Sequence, residues 1–176
     1  MTQALIIVDI QNDYFPGGAM ELVGSVEASR VASEVLGHFR QQALPVIHVQ
    51  HVATSAGATF FLPGTQGAEI HESVAPRADE PVVVKHHPNS FLNTDLLDRL
   101  KALDVKEVMV IGMITHMCVD STVRAASDYG FTVTVYENAC ATTHQTFNGK
   151  TTKAEDVQVA FLAALESFAT IETYNP

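Results

Sequence analysis

The chain has 176 residues, 47% of them hydrophobic, and a formal net charge of −10 at pH 7. This composition excludes a disordered chain and argues against nucleic acids and anionic membranes as partners, because both require a basic surface. No apolar stretch reaches the roughly 18–20 residues of a transmembrane helix. The length predicts one domain over residues 1–176. The first residues carry no basic leader, so the expected location is cytoplasmic.

Apolar runs of strand length alternate with segments of helical periodicity along the chain. Strands are predicted at residues 4–8, 45–49, 81–84, 107–111, 131–136 and 169–173. Helices are predicted at residues 26–41, 94–102, 117–129 and 153–168. The last helix is expected to bury Val157, Ala160, Phe161, Ala164, Leu165 and Phe168. This alternation predicts an α/β fold: a doubly wound, mostly parallel six-stranded sheet with helices on both faces. If the sheet has the strand order 3-2-1-4-5-6, which is common in such folds, strands 1 and 4 are neighbours.

Three connections between the predicted elements are expected to shape a substrate pocket: residues 11–24, 52–78 and 141–152. The second is rich in glycine and proline and unusually long, which favours a lid or binding loop. In the third, residues 148–151 resemble the end of a phosphate-binding loop, but His144 stands where that motif requires glycine, and no strand comes directly before it. Nucleotide binding by that route is therefore excluded.

Three reactive side chains are predicted near the carboxyl ends of strands, where ligands bind in open α/β sheets. Cys118 stands between strand 4 and the next helix, and a helix N-terminus favours a thiolate. Asp9 closes strand 1, the predicted neighbour of strand 4, so it is placed to act as a general base, although an isolated Asp there more often caps a helix or fixes a loop. Lys85 follows strand 3. A lysine there is usually solvated, but its long side chain could reach Cys118 if the next loop folds inward.

Four segments around these residues resemble the isochorismatase-like cysteine hydrolases, a superfamily that also contains nicotinamidases and several amidohydrolases. They keep the family's order over nearly the whole chain, at residues 5–15, 85–96, 112–120 and 137–142. The resemblance implies a catalytic triad of Asp9, Lys85 and Cys118. It also implies a cis peptide bond between Met113 and Ile114, and an oxyanion hole made by the N–H groups of Ile114 and Cys118.

The resemblance further implies hydrolysis of a C–N bond in a small molecule through a thioester on Cys118, without a cofactor. Isochorismatases cleave a vinyl ether and generally do not use a cysteine, so Cys118 favours amide-type hydrolysis. Family members commonly form homo-oligomers, and the same is expected here. One alternative is a binding or oligomeric scaffold protein with weak or no turnover. Another is a flavodoxin-like or dinucleotide-binding protein, but strand 1 is not followed by a Gly-x-Gly-x-x-Gly turn.

A metal site is not expected. Nicotinamidases carry an Asp-x-His pair and a further His near the end of strand 2, where they bind a divalent metal. Here the same region contains His48 and His51, but no Asp stands two residues before His51. The second cysteine, Cys140, is interpreted as a small buried hydrophobe.

Four side chains are candidates to line the substrate pocket: Phe15, Phe60, Phe91 and His116. Phe15 and Phe91 lie within two of the segments that resemble the family, and Phe60 lies in an aromatic part of the long loop. For each aromatic residue, ordinary core packing is an equally good interpretation. His116, two residues before Cys118, either contacts substrate or covers the start of the helix.

Overall fold

The computed structural model describes residues 2–176 and contains eight strands. They are β1 (Thr2–Val8), β2 (Val46–His51), β3 (Val82–Lys85), β4 (Val105–Met113), β5 (Thr132–Ala141), β6 (Gln145–Phe147), β7 (Lys150–Thr152) and β8 (Thr170–Glu172). Six of them form one sheet in the order β3-β2-β1-β4-β5-β8, and every neighbouring pair is parallel. The α/β fold class predicted from the sequence is confirmed, and the observed order is the common one that places strands 1 and 4 side by side.

The central strand β1 shows why the sheet is covered on both faces. Its residues alternate between two separate core clusters, with Ala4, Ile6 and Val8 on one face and Leu5 and Ile7 on the other. All five are buried. A strand that must fill two cores reads as a continuous apolar run rather than as an alternation of apolar and polar residues.

Four helices supply the two layers around the sheet. They are α1 (Ser25–Gln41), α2 (Leu96–Ala102), α3 (Asp120–Asp128) and α4 (Ala154–Leu165). Helix α1 packs on the face of Leu5 and Ile7, and the other three pack on the face of Ala4, Ile6 and Val8. No helix within residues 2–176 is long and apolar enough to cross a membrane.

Helix α4 turns a different face to the core from the one predicted. Its buried residues are Ala154, Val157, Leu162 and Leu165. The prediction that Ala160 and Ala164 are buried is wrong, because both are exposed. This helix carries apolar residues on most of its sides, so hydrophobic periodicity alone does not select the face that packs.

The third predicted connection contains a feature that the sequence interpretation missed. Strands β6 and β7 form an antiparallel hairpin, separate from the main sheet. Its turn consists of Asn148 and Gly149, with φ angles of 49° and 73°. Both values lie in the left-handed region, which Asn-Gly pairs favour in two-residue hairpin turns. The Asn-Gly pair was therefore an available signal.

Candidate active site

The structure brings Asp9, Lys85 and Cys118 into direct contact. Lys85 Nζ lies 2.7 Å from Asp9 Oδ2 and 3.3 Å from Cys118 Sγ. Lys85 and Asp9 are fully buried, and Cys118 is 4% exposed. The Asp9–Lys85 contact is an ion pair, and neither carboxylate oxygen has a hydrogen-bond partner within residues 2–176, so Oδ1 is available to accept a proton.

Each of the three side chains comes from a different strand end. Asp9 directly follows β1 with φ at 51°, a left-handed conformation that Asp tolerates better than most residues and that turns the chain sharply. Lys85 is the last residue of β3, two strands away, so its long side chain reaches past the end of β2. Cys118 lies in a single π-helical turn, Thr115–Val119, between β4 and α3. Such turns are frequent at functional sites.

Gly112 allows the ends of β1 and β4 to approach closely beside this cluster. It is paired with Val8 in the sheet and has φ at 136°. A Cβ atom at this position would overlap the carbonyl oxygen of Val8. A glycine is therefore required where the chain brings the segments that carry Asp9 and Cys118 together.

The buried cluster shifts the pKa of each of its members. Burial alone lowers the pKa of Lys85, but the neighbouring Asp9 and Cys118 raise it, and the net shift is upward. Burial raises the pKa of Asp9 above its usual value, although Lys85 opposes this. Burial and the Asp9 carboxylate likewise raise the pKa of Cys118, again against Lys85. Lys85 therefore stays charged, and at a pH between the pKa values of Asp9 and Cys118 the carboxylate and the thiol together carry one proton.

This electrostatic arrangement differs from the thiolate expected from the sequence. A helix N-terminus favours a thiolate by a modest amount. Here that effect is outweighed, because Cys118 is removed from water and faces a carboxylate. The resting group is a thiol beside a base rather than a stable thiolate.

Lys85 has two further partners that the sequence interpretation missed. Its Nζ lies 2.9 Å from Nδ1 of His51 and 3.0 Å from the carbonyl oxygen of His87. His51 is the last residue of β2 and is paired with Lys85 in the sheet. The sequence prediction ended strand 2 at residue 49, so this pairing was not visible.

The comparisons with known proteins agree with this fold and with the order of these segments. A family model described as the isochorismatase domain matches residues 3–173. The chain belongs to the isochorismatase family. An uncharacterized family member from Bacillus subtilis, YddQ, is 51% identical over 98% of this chain and 97% of its own length. A crystal structure described as a putative isochorismatase hydrolase, from Oleispira antarctica, has a TM-score of 0.94 and 45% identity, and the match covers 98% of this chain and 93% of that one.

Other members of the isochorismatase family carry named hydrolase activities. A streptothricin hydrolase from Streptomyces noursei is 35% identical over 80% of this chain and 50% of its own length. Nicotinamidase 3 from Arabidopsis thaliana is 28% identical over 90% of this chain and 80% of its own length. The chain is thus an isochorismatase-family hydrolase by descent, and its relatives include amidohydrolases.

The residues around the cluster do not fit the divalent metal that some isochorismatase-family proteins bind. Ligand atoms of Asp9, His51 and Cys118 lie within 4.8 Å of one another. However, the Lys85 ammonium is within 3.3 Å of an atom of each of them, and its raised pKa keeps it charged. A metal ion there would face this fixed positive charge. His48 does not join the set, because its Nε2 contacts Glu80 at 3.0 Å.

Three of the predicted pocket residues lie in packed positions around the site. Phe15 is buried and stacks on His71, with ring centroids 3.6 Å apart. Phe60 is half-buried and packs against Tyr14, with centroids 6.0 Å apart. His116 contacts the hydroxyl of Thr142, with 2.6 Å between Nδ1 and Oγ1.

Phe91, the fourth predicted pocket residue, is buried in the core. Its ring packs against Tyr129 and Phe131, with centroids 5.2 and 6.4 Å away. Phe91 and Cys118 belong to the same core cluster, on one face of the sheet. The role of Phe91 in a substrate pocket stays a prediction.

Asp13 connects two of the loops that surround the site, a role that the sequence interpretation missed. One carboxylate oxygen accepts the backbone N–H of Phe61 at 2.6 Å, and the other accepts that of Ala19 at 3.2 Å. Phe61 is 1% exposed and its ring packs against Tyr14 and His51, with centroids 4.6 and 5.9 Å away. Asp13 thus fixes the aromatic part of the long loop against the residue that contacts Lys85.

A cavity of about 730 Å³ lies at the amino-terminal ends of β2 and β3, the strand ends opposite those that carry Asp9 and Lys85. Its walls include Pro45 and Pro81, which directly precede those strands, together with Arg40 and Arg77. The Asp9 cluster, which consists of Asp9, Lys85 and Cys118, does not line this cavity. The candidate chemistry and this cavity therefore lie at opposite strand ends.

Proposed function

We propose that the protein is a cysteine hydrolase that cleaves an amide-type C–N bond of a small molecule through a thioester on Cys118. The observation that carries this proposal is the buried contact of Cys118 Sγ with Lys85 Nζ at 3.3 Å, and of Lys85 with Asp9 at 2.7 Å. The named activities of its relatives, streptothricin hydrolase and nicotinamidase, support the same reaction class. So does a ureidoacrylate amidohydrolase from Caulobacter segnis, which is 28% identical over 95% of this chain and 80% of its own length.

In the first half of the proposed reaction, Asp9 takes the proton of the Cys118 thiol and the sulfur attacks the carbonyl carbon. Lys85 stays charged and stabilises the negative charge that passes between Asp9 and Cys118. The tetrahedral oxyanion accepts hydrogen bonds from the N–H groups of Ile114 and Cys118, and loss of one such donor costs about 2.7–4 kcal/mol. Thr115, between these two residues, donates its buried hydroxyl to the carbonyl oxygen of Ala141 at 3.1 Å, which holds the turn in place.

In the second half, the C–N bond breaks and the amine leaves with the proton that Asp9 had accepted. Asp9, again a carboxylate, then removes a proton from a water molecule, whose oxygen attacks the thioester carbon. The carboxylic acid leaves and the proton returns to the Cys118 sulfur. Asp9 thus passes the thiol proton to the leaving amine in the first transfer and a water proton to the Cys118 sulfur in the second, so no other acid or base is needed.

The expected partner is a small-molecule substrate. We also predict that the protein forms a homo-oligomer and is cytoplasmic, and both stay predictions. The binding-protein alternative requires the same fold without turnover. The Asp9 cluster does not favour it, because all three reactive groups are present and in contact. Turnover separates the two candidates.

The test is a panel of amide substrates, including primary carboxamides, ureido acids and a cyclic amide, with release of ammonia or amine as the measurement. We expect hydrolysis of at least one class, and Cys118→Ala to lower its rate by about 10³-fold or more. Cys140→Ala is the matched control, because Cys140 is the other buried thiol, has a pKa of about 12, and belongs to the core. No turnover on any class, or full turnover in Cys118→Ala, would overturn the proposal.

A further inference from the structure

The Lys85 ammonium has more acceptors than it has hydrogens. Four atoms that can accept a hydrogen bond surround Nζ: His51 Nδ1 at 2.9 Å, the His87 carbonyl oxygen at 3.0 Å and Cys118 Sγ at 3.3 Å are hydrogen-bonded to it, and Asp9 Oδ2 at 2.7 Å contacts it as an ion pair. An ammonium group has three N–H donors. The acceptors therefore compete, and each one changes how strongly the lysine binds the others.

His51 is suited to act as one of these acceptors. Burial, followed by the charge of Lys85, lowers its pKa to about 4, so its ring is neutral at physiological pH. A neutral imidazole has one nitrogen with a free lone pair. Because Nδ1 faces a charged ammonium at 2.9 Å, Nδ1 is the acceptor and Nε2 carries the proton.

The backbone of His51 is held in place from the neighbouring strand end. The side-chain amide of Gln11 accepts the His51 N–H at 2.8 Å and donates to the His51 carbonyl oxygen at 2.9 Å. The same amide group donates to the Ala68 carbonyl oxygen at 2.7 Å, and Gln11 is fully buried. The ring of His51 therefore meets Lys85 from a fixed position.

We propose that His51 is a positioning residue, which holds the Lys85 ammonium through Nδ1 and so limits how strongly that ammonium stabilises the Asp9 carboxylate. This inference rests on the proposed function, in which Asp9 is the base. It also gives His51 a role other than metal binding, since Nδ1 is occupied by the lysine. Without His51, the N–H of Lys85 that it accepts is free to turn to Asp9, because the His87 carbonyl oxygen and Cys118 already accept hydrogen bonds from the ammonium. The carboxylate then becomes a weaker base.

Other titratable groups near this contact are few. Asp9 faces Lys85 and Cys118, and Tyr14 stands close enough to be affected by Asp9 but stays neutral because burial raises its pKa well above the usual value. His51 is influenced by Lys85, and more weakly by His86 and His87. The His51 variants described next leave the other groups named here unchanged.

The test is the pKa of the Asp9 carboxyl group, measured by carbon NMR on protein with labelled aspartate and assigned with Asp9→Asn. We expect His51→Leu to lower this pKa by about half a unit or more, because Lys85 then binds Asp9 more strongly. Asn places an amide oxygen where Nδ1 stands, so His51→Asn should retain the original value. Gln reaches further, so His51→Gln should resemble His51→Leu. His38→Asn, at an exposed histidine of α1, is the matched control.

The same variants are then compared in turnover, where His51→Leu should lower kcat about tenfold with little change in KM, and His51→Asn should recover it. The proposed function and the proposed role of His51 would fail with different results. An Asp9 pKa that follows this pattern without turnover supports the role of His51 and contradicts the proposed function. Turnover with an Asp9 pKa equal in all folded variants overturns the role of His51. A chelator that abolishes activity of the unmodified protein, but not of His51→Leu, also overturns it in favour of a metal ligand.

Discussion

At the scale of single residues, Asp9 and Cys118 are coupled, and their shared proton sets the pH range of the chemistry. Burial raises the pKa of both groups, and Lys85 opposes both shifts. Between these two pKa values the pair carries one proton and one negative charge beside a charged lysine. Removal of that proton deprives the leaving amine of its acid, and addition of a second proton deprives the thiol of its base.

The first prediction is therefore a broad pH profile of kcat/KM. The rate should rise with pH through a midpoint above 3.8, the usual value for Asp, because a protonated Asp9 cannot accept the thiol proton. It should not fall near pH 9, because the pKa of Cys118 lies above its usual value of 9.0. Asp9→Asn should lower the rate by about 10²–10⁴-fold and remove the acid limb. A midpoint at or below 3.8, or an acid limb that survives in Asp9→Asn, would contradict the assignment of Asp9 as the base.

A second prediction concerns the buried ion pair itself. Lys85→Met keeps the length of the side chain but leaves the Asp9 carboxylate buried without a cation. We expect the free energy of unfolding to fall by about 3–5 kcal/mol. Adding Asp9→Asn should recover part of this loss, because the unpaired charge is gone. Urea unfolding of the two variants measures both values, and a double variant no more stable than Lys85→Met would argue against charge burial as the cause.

The sequence predicted which residues meet but not how they affect each other. Asp9, Lys85 and Cys118 were found because each follows an apolar strand and because the surrounding segments resemble a known family, whereas the strand order was taken from the commonest arrangement of such sheets. His51 was missed because its partner lies on another strand, 34 positions along the chain. The thiolate expectation failed because local sequence shows a helix start but not the burial of Cys118.

At the scale of elements, the sequence pattern predicts the strands of the main sheet, but it does not predict the elements whose shape depends on contacts between distant residues. The six sheet strands were predictable, because buried parallel strands are continuous apolar runs. The π-helical turn that carries Cys118 was not, since its shape depends on contacts such as Thr115 with Ala141, 26 positions away. The hairpin of β6 and β7 had a local signal in Asn148 and Gly149, and its partly polar strands concealed it.

The third prediction tests the close approach of β1 and β4. Gly112→Ala forces a Cβ against the Val8 backbone and imposes an unfavourable φ, each of which costs about 1–3 kcal/mol. We expect a loss of stability of about 2–5 kcal/mol, with slower turnover because the segments of Asp9 and Cys118 are pushed apart. Gly37→Ala is the control: it lies inside α1 with no atom close to its Cβ position, so it should stabilise by about 0.5–1 kcal/mol. Equal stability of the two variants would contradict the role of Gly112.

At the scale of the whole molecule, one ion pair joins α1 to the start of β3, at the strand ends opposite the candidate active site. The Arg40 guanidinium donates to both carboxylate oxygens of Glu80 at 2.7 Å and to the carbonyl oxygen of Ala75 at 2.8 Å. The same carboxylate contacts His48, which is 1% exposed in β2. Bidentate contacts of this kind are among the stronger charged interactions. Glu80 therefore links a helix and two strands.

The last prediction is that this link makes the protein sensitive to acid. Hydrogen bonds from Arg40 lower the pKa of Glu80 from 4.5 to about 2, so the stability that it contributes is complete above pH 4.5 and is lost as the pH falls towards 2. Burial also lowers the pKa of His48, so protonation of the unfolded chain below pH 6.5 adds to the loss.

Glu80→Gln should reduce the free energy of unfolding at pH 7 by about 1.5–3 kcal/mol, and its stability should change less than that of the unmodified protein between pH 4.5 and pH 2. The matched control is Asp95→Asn, which breaks the exposed pair with Arg99 and should cost no more than about 0.5 kcal/mol. Urea unfolding at a series of pH values measures all three proteins. Parallel curves for Glu80→Gln and the unmodified protein would show that the acid sensitivity arises elsewhere.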